Sequence, residues 1–290
     1  MDSESRLAQV TESNLKIDKI RVGDYLINYV TAGSGKPLLL IHGGNIGWGQ
    51  WYPNIGPLSK HFKVYAIDLP GAGRSSRIDY DDLDLERDFL GVTREFINIT
   101  GIGDAHIIGS SVGGWIALRL ALRGVPFGKI VLTDSLGFTD YMRFSDRILG
   151  IRVLPKALVK TILRPYRENR NIERFLRSVF YDKKTPLAPQ FIDYFYETMR
   201  TSHNLLLISR LSSIWGVRRE FVMNNELRDV KNQTLIIWGE HDALMPVERS
   251  QTAFSLMPNC RTKIIKAAGH IPSIEKSSEF NDAVINFLDS

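Results

Sequence analysis

Short apolar segments alternate with helical patterns along the N-terminal half of the chain. The apolar segments are four to six residues long and lead into glycine or polar residues, which is typical of strands buried on both faces of a sheet. Residues 85–99 and 112–122 carry apolar side chains at helical spacing. This order predicts a parallel sheet covered by helices on both sides. The predicted strands are Leu38–Ile41, Phe62–Ile67, His106–Gly109 and Lys129–Thr133.

The two ends of this region have different patterns. Residues 1–18 are polar, and we expect an arm or a weak first element there. Ile20 and Val22, together with the β-rich segment Tyr25–Thr31, predict an antiparallel hairpin at a sheet edge. Beyond Gly137 the pattern becomes helical throughout, and prolines divide it into short helices.

The alternation of strands and helices resumes near the C-terminus. Strands are predicted at Thr234–Trp238 and Lys263–Lys266, and an amphipathic helix closes the chain. We therefore predict an α/β core made of residues 1–137 and 226–290, interrupted by an all-helical lid at residues 138–225.

Composition is typical of a globular protein with a sizeable core, since 43% of the residues are hydrophobic and 24% are charged. No apolar run approaches the ~20 residues of a membrane span, and residues 1–6 lack the basic-then-apolar pattern of a signal peptide. We therefore expect a cytoplasmic protein. The one cysteine, Cys260, excludes an internal disulfide framework and a cysteine-based metal site.

The net charge of +5 is concentrated in the predicted lid. Residues 138–222 hold 16 Lys/Arg against 8 Asp/Glu, whereas the rest of the chain has a balance of −3. Three interpretations fit this excess: an anionic substrate, peripheral contact with an anionic membrane, or a solvated helix exterior. The basic residues follow no base-reading motif, so we expect no nucleic-acid partner.

The strongest chemical signal is Gly-x-Ser-x-Gly, which Gly109, Ser111 and Gly113 fill between a predicted strand and a predicted helix. In this context the spacing is that of a nucleophile elbow, a strained turn that lifts one serine hydroxyl clear of the backbone. Glycines are needed because side chains two positions before or after the serine would collide with the neighbouring strand or helix. The helix that follows directs its N-terminal N–H groups at an anion formed beside the serine.

A second glycine turn, His42-Gly43-Gly44-Asn45, follows the first buried strand. The N–H groups of such a turn can bind an oxyanion, although an ordinary glycine loop after a strand can have the same sequence. Trp48 and Trp51 come next, and we expect them to pack around the mouth of a pocket.

A serine hydroxyl needs a base, and the base needs an acid that fixes its tautomer. His270 follows the last predicted strand beside a glycine and is the predicted base. Asp242 follows the preceding strand and is the predicted acid, with Asp134 at an earlier strand end as its rival. Of the other histidines, His42 is expected to brace the glycine turn and His241 to point away from the acid.

These motifs resemble those of the α/β-hydrolase fold superfamily, in a serine-nucleophile member with a helical cap. The chain order serine, acid, histidine is also the one expected of that superfamily. The resemblance implies an eight-stranded, mostly parallel sheet with helices on both faces and a cap inserted after Asp134. It also implies an oxyanion hole formed by the N–H groups of Val112 and Gly44, with Asn45 as the alternative to Gly44. The segments that carry the resemblance are His42–Gly44, Asp68–Ser75, Gly109–Gly114, Trp238–Asp242 and Gly269–Pro272.

The resemblance implies acyl transfer to water through a Ser111, His270 and Asp242 triad. We expect cleavage of a carboxylic ester, or a related acyl bond, of an apolar small molecule. Serine at the elbow excludes the relatives that use aspartate there, such as haloalkane dehalogenases and epoxide hydrolases. One alternative is a carbon–carbon hydrolase of ring-fission products, although those enzymes usually carry tryptophan after the catalytic histidine and this chain has Ile271. The other alternative is a ligand-binding protein that retains the triad.

We expect the substrate to contact Asn45, Ser110 and Trp115, which lie beside the predicted oxyanion loop and nucleophile. The predicted chemistry needs no further group, so we expect no cofactor and no metal ion. These patterns leave the oligomeric state open.

Overall fold

The computed structural model describes residues 1–44, 46–78, 83–138, 169–199, 223 and 225–290. These residues form a sheet with the strands β1 Lys16–Val22, β2 Tyr25–Ala32, β3 Pro37–Ile41, β4 Lys63–Ile67, β5 His106–Ser110, β6 Ile130–Thr133, β7 Thr234–Gly239 and β8 Cys260–Ile265. The strand order across the sheet is β1-β2-β4-β3-β5-β6-β7-β8. Strand β2 pairs antiparallel with both of its neighbours, and the strands from β4 to β8 pair in parallel.

Helices cover both faces of this sheet. A 3₁₀ turn at Trp48–Trp51 and a π-helical turn at Glu86–Gly91 lead into two of them. The helices of the described residues are α1 Ser3–Gln9, α2 Tyr52–Ser59, α3 Val92–Thr100, α4 Val112–Leu122, α5 Asn169–Ser178, α6 Pro189–Met199, α7 Val247–Phe254, α8 Pro272–Glu275 and α9 Ser277–Leu288.

Successive side chains of a strand point to opposite faces, so one apolar run supplies both cores. In β3, Leu39 and Ile41 join the core under α3, α4 and α7, whereas Leu38 and Leu40 join the core under α2, α6 and α9. All four side chains are fully buried, and burial of such a side chain contributes about 1.5–3 kcal/mol. The mostly parallel eight-stranded sheet expected from the sequence is confirmed, as is the antiparallel hairpin at its edge.

The N-terminal residues differ from the expected arm or weak element. Helix α1 buries Glu4 and Leu7 and packs against α6. The segment looked solvent-exposed in sequence because its buried groups include polar ones, whose hydrogen bonds come from distant parts of the chain. Trp48 and Trp51 are fully buried.

The described part of the predicted lid consists of α5, α6, the segment that joins them and residues 138, 223 and 225. Most of the basic residues of the lid lie outside the described residues, so an anionic ligand or membrane contact stays a prediction, as do the domain boundaries. No helix among the described residues combines the length and the apolar character that crossing a lipid bilayer requires.

Candidate active site

Ser111 lies in a strained turn between β5 and α4. Its backbone has φ 51° and ψ −114°, a conformation that non-glycine residues rarely adopt. A Cβ atom on Gly109 would lie 2.4 Å from the carbonyl oxygen of Gly113, and a Cβ on Gly113 would lie 2.3 Å from the carbonyl oxygen of Ile41. The close approach of strand and helix therefore requires glycine at both positions, as the elbow motif predicts.

Backbone hydrogen bonds hold the Ser111 turn in this conformation. The Ser111 N–H donates to the carbonyl oxygen of Thr133 on the neighbouring strand at 3.0 Å. The Ser111 carbonyl oxygen accepts from the N–H groups of Leu136 at 3.0 Å and Gly114 at 3.1 Å. The side chain is half-buried, so the hydroxyl is oriented by a rigid frame at the carboxyl edge of the sheet.

His270 and Asp242 meet at the same sheet edge. The imidazole Nδ1 of His270 lies 2.8 Å from Oδ2 of Asp242. Oδ1 of Asp242 accepts from the backbone N–H groups of Leu244 at 2.8 Å and Met245 at 3.0 Å. With the proton on Nδ1 held by the carboxylate, Nε2 is left as the acceptor that a general base needs.

Asp134, the rival acid, lies beside this pair and has a φ of 44°. Its Oδ1 accepts from the N–H of Gly239 at 2.9 Å, and its Oδ2 accepts from the hydroxyl of Thr133 at 2.8 Å. Burial, followed by the charge of Asp242, raises the pKa of Asp134 well above its usual value. Both effects favour the protonated form of the Asp134 carboxyl group.

The donor atoms of Asp134, Asp242 and His270 lie within 4.8 Å of one another, close enough in principle to share a metal ion. All three side chains are buried, and Nδ1 of His270 is already directed at Asp242. This arrangement fits a hydrogen-bonded pair of His270 and Asp242 with a second buried carboxyl group beside it.

The glycine turn after β3 lies against Ser111. A Cβ atom on Gly43 would lie 2.9 Å from Cβ of Ser111. The Gly43 N–H is already bonded to Oε1 of Gln50 at 2.9 Å, so the next N–H, that of exposed Gly44, remains the candidate oxyanion donor. The N–H of Val112 begins α4 and therefore has no intrahelical acceptor. Asn45, the alternative donor, lies outside the described residues.

His42 connects the glycine turn to the loop after β4 through hydrogen bonds. Its Nε2 accepts from the N–H of Leu69 at 3.0 Å, which leaves the proton on Nδ1, 3.0 Å from the carbonyl oxygen of Gly43. Burial lowers the pKa of His42 to about 4, so the ring is neutral at neutral pH. A neutral, fully bonded imidazole positions the loop and is not a base for Ser111.

The structure shows two buried carboxyl groups, those of Asp68 and Glu4, that the site predicted from the sequence does not include. Both contact Trp48, which follows the glycine turn. Oδ1 of Asp68 accepts from the Trp48 N–H at 2.6 Å, and Oε1 of Glu4 accepts from the Trp48 indole N–H at 2.7 Å. Burial, followed by the charge of Glu4, raises the pKa of Asp68 to about 7. The position of Asp68 in the turn-dense loop after β4 was the one sequence signal for it.

Ser110 and Trp115, two of the residues predicted to contact the substrate, are buried. Ser110 and Trp115 are each 3% exposed, and the guanidinium of Arg119 lies 5.6 Å from the centroid of the Trp115 ring. Their contact with a substrate stays a prediction. The His241 ring stacks on Tyr181 with a centroid distance of 4.1 Å.

A profile of the Alpha/beta hydrolase family matches residues 38–283. The chain belongs to the alpha/beta hydrolase family. Within the family it is 25% identical to the 2-hydroxy-6-oxo-6-phenylhexa-2,4-dienoate hydrolase of Comamonas testosteroni, over 97% of this chain and 99% of the relative. It is 26% identical to the 2-hydroxy-6-oxononadienedioate/2-hydroxy-6-oxononatrienedioate hydrolase of the same organism, over 98% and 96%.

Among solved structures, the naproxen esterase of Bacillus subtilis superposes with a TM-score of 0.76 at 21% identity, covering 99% of this chain and 95% of the esterase. At that identity the likeness shows the shared fold alone. Family membership, with hydrolases as relatives over nearly the whole chain, supports a hydrolase and leaves the bond that it cleaves open.

Proposed function

We propose that this protein is a serine hydrolase in which Ser111 is the nucleophile, His270 the base and Asp242 the acid. The observation that carries this proposal is the 2.8 Å contact between His270 and Asp242 at the sheet edge that also holds the strained Ser111 turn. Strands β5, β7 and β8 belong to the parallel part of the sheet, so the loops that carry Ser111, Asp242 and His270 all leave the sheet at its carboxyl edge, which supports the proposal.

In the proposed mechanism, the Ser111 hydroxyl oxygen attacks a carbonyl carbon while His270 Nε2 takes the hydroxyl proton. The N–H groups of Val112 and Gly44 stabilise the resulting oxyanion. His270 then delivers the proton to the leaving group as its bond to the carbonyl carbon breaks. Water, deprotonated by His270, hydrolyses the acyl-enzyme and regenerates Ser111.

Two bond classes fit this mechanism, and we favour the carbon–carbon bond of a ring-fission product. The relatives that match 97–98% of this chain are named as hydrolases of unsaturated 2-hydroxy-6-oxo acids, and we propose a substrate of that class here. The leaving group would then be a carbanion, which His270 protonates.

A carboxylic ester is the second candidate. Ile271 follows the base where the resemblance leads us to expect tryptophan in a carbon–carbon hydrolase. The fold is also that of a carboxylesterase. Both candidates use the same triad, so they differ in substrate and share the nucleophile.

One assay separates the two candidates. Wild type and Ser111→Ala are each assayed with two kinds of substrate. The first is 2-hydroxy-6-oxo-6-phenylhexa-2,4-dienoate, whose hydrolysis is monitored as a loss of absorbance. The second is a series of p-nitrophenyl esters from acetyl to palmitoyl. Ser255→Ala is the control, because that residue is exposed and its hydroxyl donates locally to the carbonyl oxygen of Thr252. We expect turnover in wild type and Ser255→Ala and its loss in Ser111→Ala, with the substrate class that reacts fixing the bond.

Undiminished turnover in Ser111→Ala would refute the proposed nucleophile. Labelling of Ser111 by a fluorophosphonate, with no turnover of either substrate class, would instead favour a ligand-binding protein that retains a competent triad.

A further inference from the structure

The carboxylate of Glu275 is bonded to the backbone on both sides of His270. Its Oε1 accepts from the N–H of Gly269 at 2.9 Å and from the N–H of Ile271 at 3.4 Å. Glu275 is the last residue of α8 and is only 9% exposed. One buried side chain therefore spans the loop that carries the proposed base.

The same carboxylate is also bonded to the lid. Its Oε2 accepts from the N–H of Tyr181 at 2.7 Å, in the segment that follows α5. The N–H of His270 itself donates to the carbonyl oxygen of Val179 at 3.0 Å. The histidine loop thus has hydrogen bonds to the core through Glu275 and to the lid through Val179.

The lid segment and the histidine loop are in direct backbone contact. A Cβ atom on Gly269 would lie 2.5 Å from the carbonyl oxygen of Val179 and 2.6 Å from the N atom of Tyr181. The Tyr181 ring stacks on His241, the residue before Asp242. Residues 179–181 therefore touch the loops of both the proposed base and the proposed acid.

The backbone N–H groups around Glu275 favour a fixed position of its carboxylate. Burial raises the pKa of Glu275, and the backbone N–H groups directed at it oppose that shift, Tyr181 and Gly269 first among them. Charge-assisted hydrogen bonds from N–H groups to a buried carboxylate are shorter and stronger than neutral ones, so they hold the two segments in register.

We propose that Glu275 is a positioning residue that fixes the His270 loop and couples it to the lid segment 179–181. The proposal rests on the proposed function, because it takes His270 as the base of Ser111. Glu275 touches none of the reacting atoms and acts through the backbone of residues 269–271.

The test compares Glu275→Gln and Glu275→Asp with wild type, and uses Glu279→Gln as the matched control. Glu279 lies one turn further along, half-exposed, in an ion pair with Lys263 at 2.7 Å. A fluorophosphonate is added in excess, and intact mass gives both the rate at which Ser111 is labelled and the final labelled fraction. kcat and KM are measured on the substrate class that the wild type turns over.

We expect Glu275→Gln to reach the wild-type labelled fraction at a rate lower by about tenfold to a hundredfold, since small displacements of a catalytic group cost that much. kcat should fall in parallel while KM changes less than about threefold. Glu275→Asp, which keeps the charge, should recover part of the rate, and Glu279→Gln should match wild type.

Labelling of Glu275→Gln at the wild-type rate would overturn the proposal. A smaller labelled fraction at an unchanged rate would also overturn it, because that result indicates partial misfolding. An equal loss in Glu279→Gln would show that the effect is not specific to Glu275. A wild type that is not labelled at Ser111 would refute the proposed function, and the positioning role would fall with it.

Discussion

Glu4 on the N-terminal helix and Asp68 after β4 share one hydrogen-bond donor. Nδ2 of Asn28 lies 2.7 Å from Oε1 of Glu4 and 2.8 Å from Oδ2 of Asp68. Both carboxylates are buried and both also bind Trp48, the first residue of the turn that ends the oxyanion loop. Two buried carboxyl groups therefore lie beside the turn that follows the loop that we propose for the oxyanion.

The Glu4 and Asp68 pair predicts a specific pH dependence of stability. The pKa of Asp68 is about 7 in the folded protein against 3.8 ordinarily, so the folded state binds more protons between about pH 4 and pH 7. This contribution to stability is complete below pH 4 and is lost as the pH rises to 7. His42 acts in the opposite sense, since its pKa is lowered to about 4 from 6.5 and its contribution is lost as the pH falls.

Glu4→Gln isolates the Asp68 contribution, because His42 is the same in both proteins. Removal of the Glu4 charge lowers the pKa of Asp68, so the variant should lose less stability than wild type between pH 5 and pH 8. In denaturant titrations, the free energy of unfolding of the variant relative to that of wild type should rise by about 1–2 kcal/mol between pH 5 and pH 8. Parallel curves would contradict the coupling, and exposed Glu248→Gln is the control.

The choice of acid predicts unequal effects of two isosteric variants. Asp242→Asn removes the charge that holds His270, and kcat should fall by about 10³- to 10⁴-fold. Asp134→Asn replaces a buried carboxyl group, which bonds to Thr133 and Gly239, with an amide of the same shape. Since burial favours the uncharged form at this position, kcat should fall less than about tenfold. Steady-state kinetics on the same substrate measure both, and a reversed order would make Asp134 the acid.

Gln50 is expected to support catalysis from outside the triad. Gln50→Ala removes the acceptor of the Gly43 N–H, and an unsatisfied buried N–H costs roughly 1–3 kcal/mol. The oxyanion loop should shift, which lowers kcat more than it raises KM. Gln251→Ala, on an exposed position of α7, is the control. Wild-type kcat in Gln50→Ala would show that the loop holds its position without this bond.

Substitution of Gly109, the glycine before Ser111 in the turn, is expected to lower the free energy of unfolding strongly. Gly109→Ala places a Cβ atom 2.4 Å from a backbone oxygen that cannot move freely, and we expect a loss of about 3 kcal/mol or more in the free energy of unfolding. At Gly103 an added Cβ atom meets nothing within 4 Å, so Gly103→Ala should change it by less than about 1 kcal/mol. Similar unfolding midpoints for the two variants in urea would contradict the steric argument.

Local features of the site were predictable from the sequence. Strand β5, the Ser111 turn and helix α4 follow from a short buried run, a glycine on each side of the serine and a helical pattern, all within 17 residues of chain. Such features depend on backbone sterics and hydrophobic periodicity, which neighbouring residues determine. The order of strands along the chain likewise predicted that the loops after β7 and β8 leave the sheet at the edge where Ser111 lies.

The helix at the N-terminus and its buried Glu4 were not predictable in this way. Glu4 is buried because Asn28 and Trp48 supply its hydrogen bonds, and they lie 24 and 44 positions away. A polar residue in a polar segment carries no local sign of such partners. The same holds for Glu275, whose partner Tyr181 is 94 positions distant.

The sequence alone determined that a candidate acid follows each of two strands, and only the tertiary structure decided which hydrogen bonds each carboxyl group makes. Asp134 and Asp242 both follow buried strands that end at the same sheet edge, so their local patterns are equivalent. The turn after β7 directs the carboxylate of Asp242 onto Nδ1 of His270, whereas the N–H of Gly239 binds Asp134. The physical reason is that the direction of a buried carboxyl group is set by the donors packed around it, and here those donors come from other strands and loops.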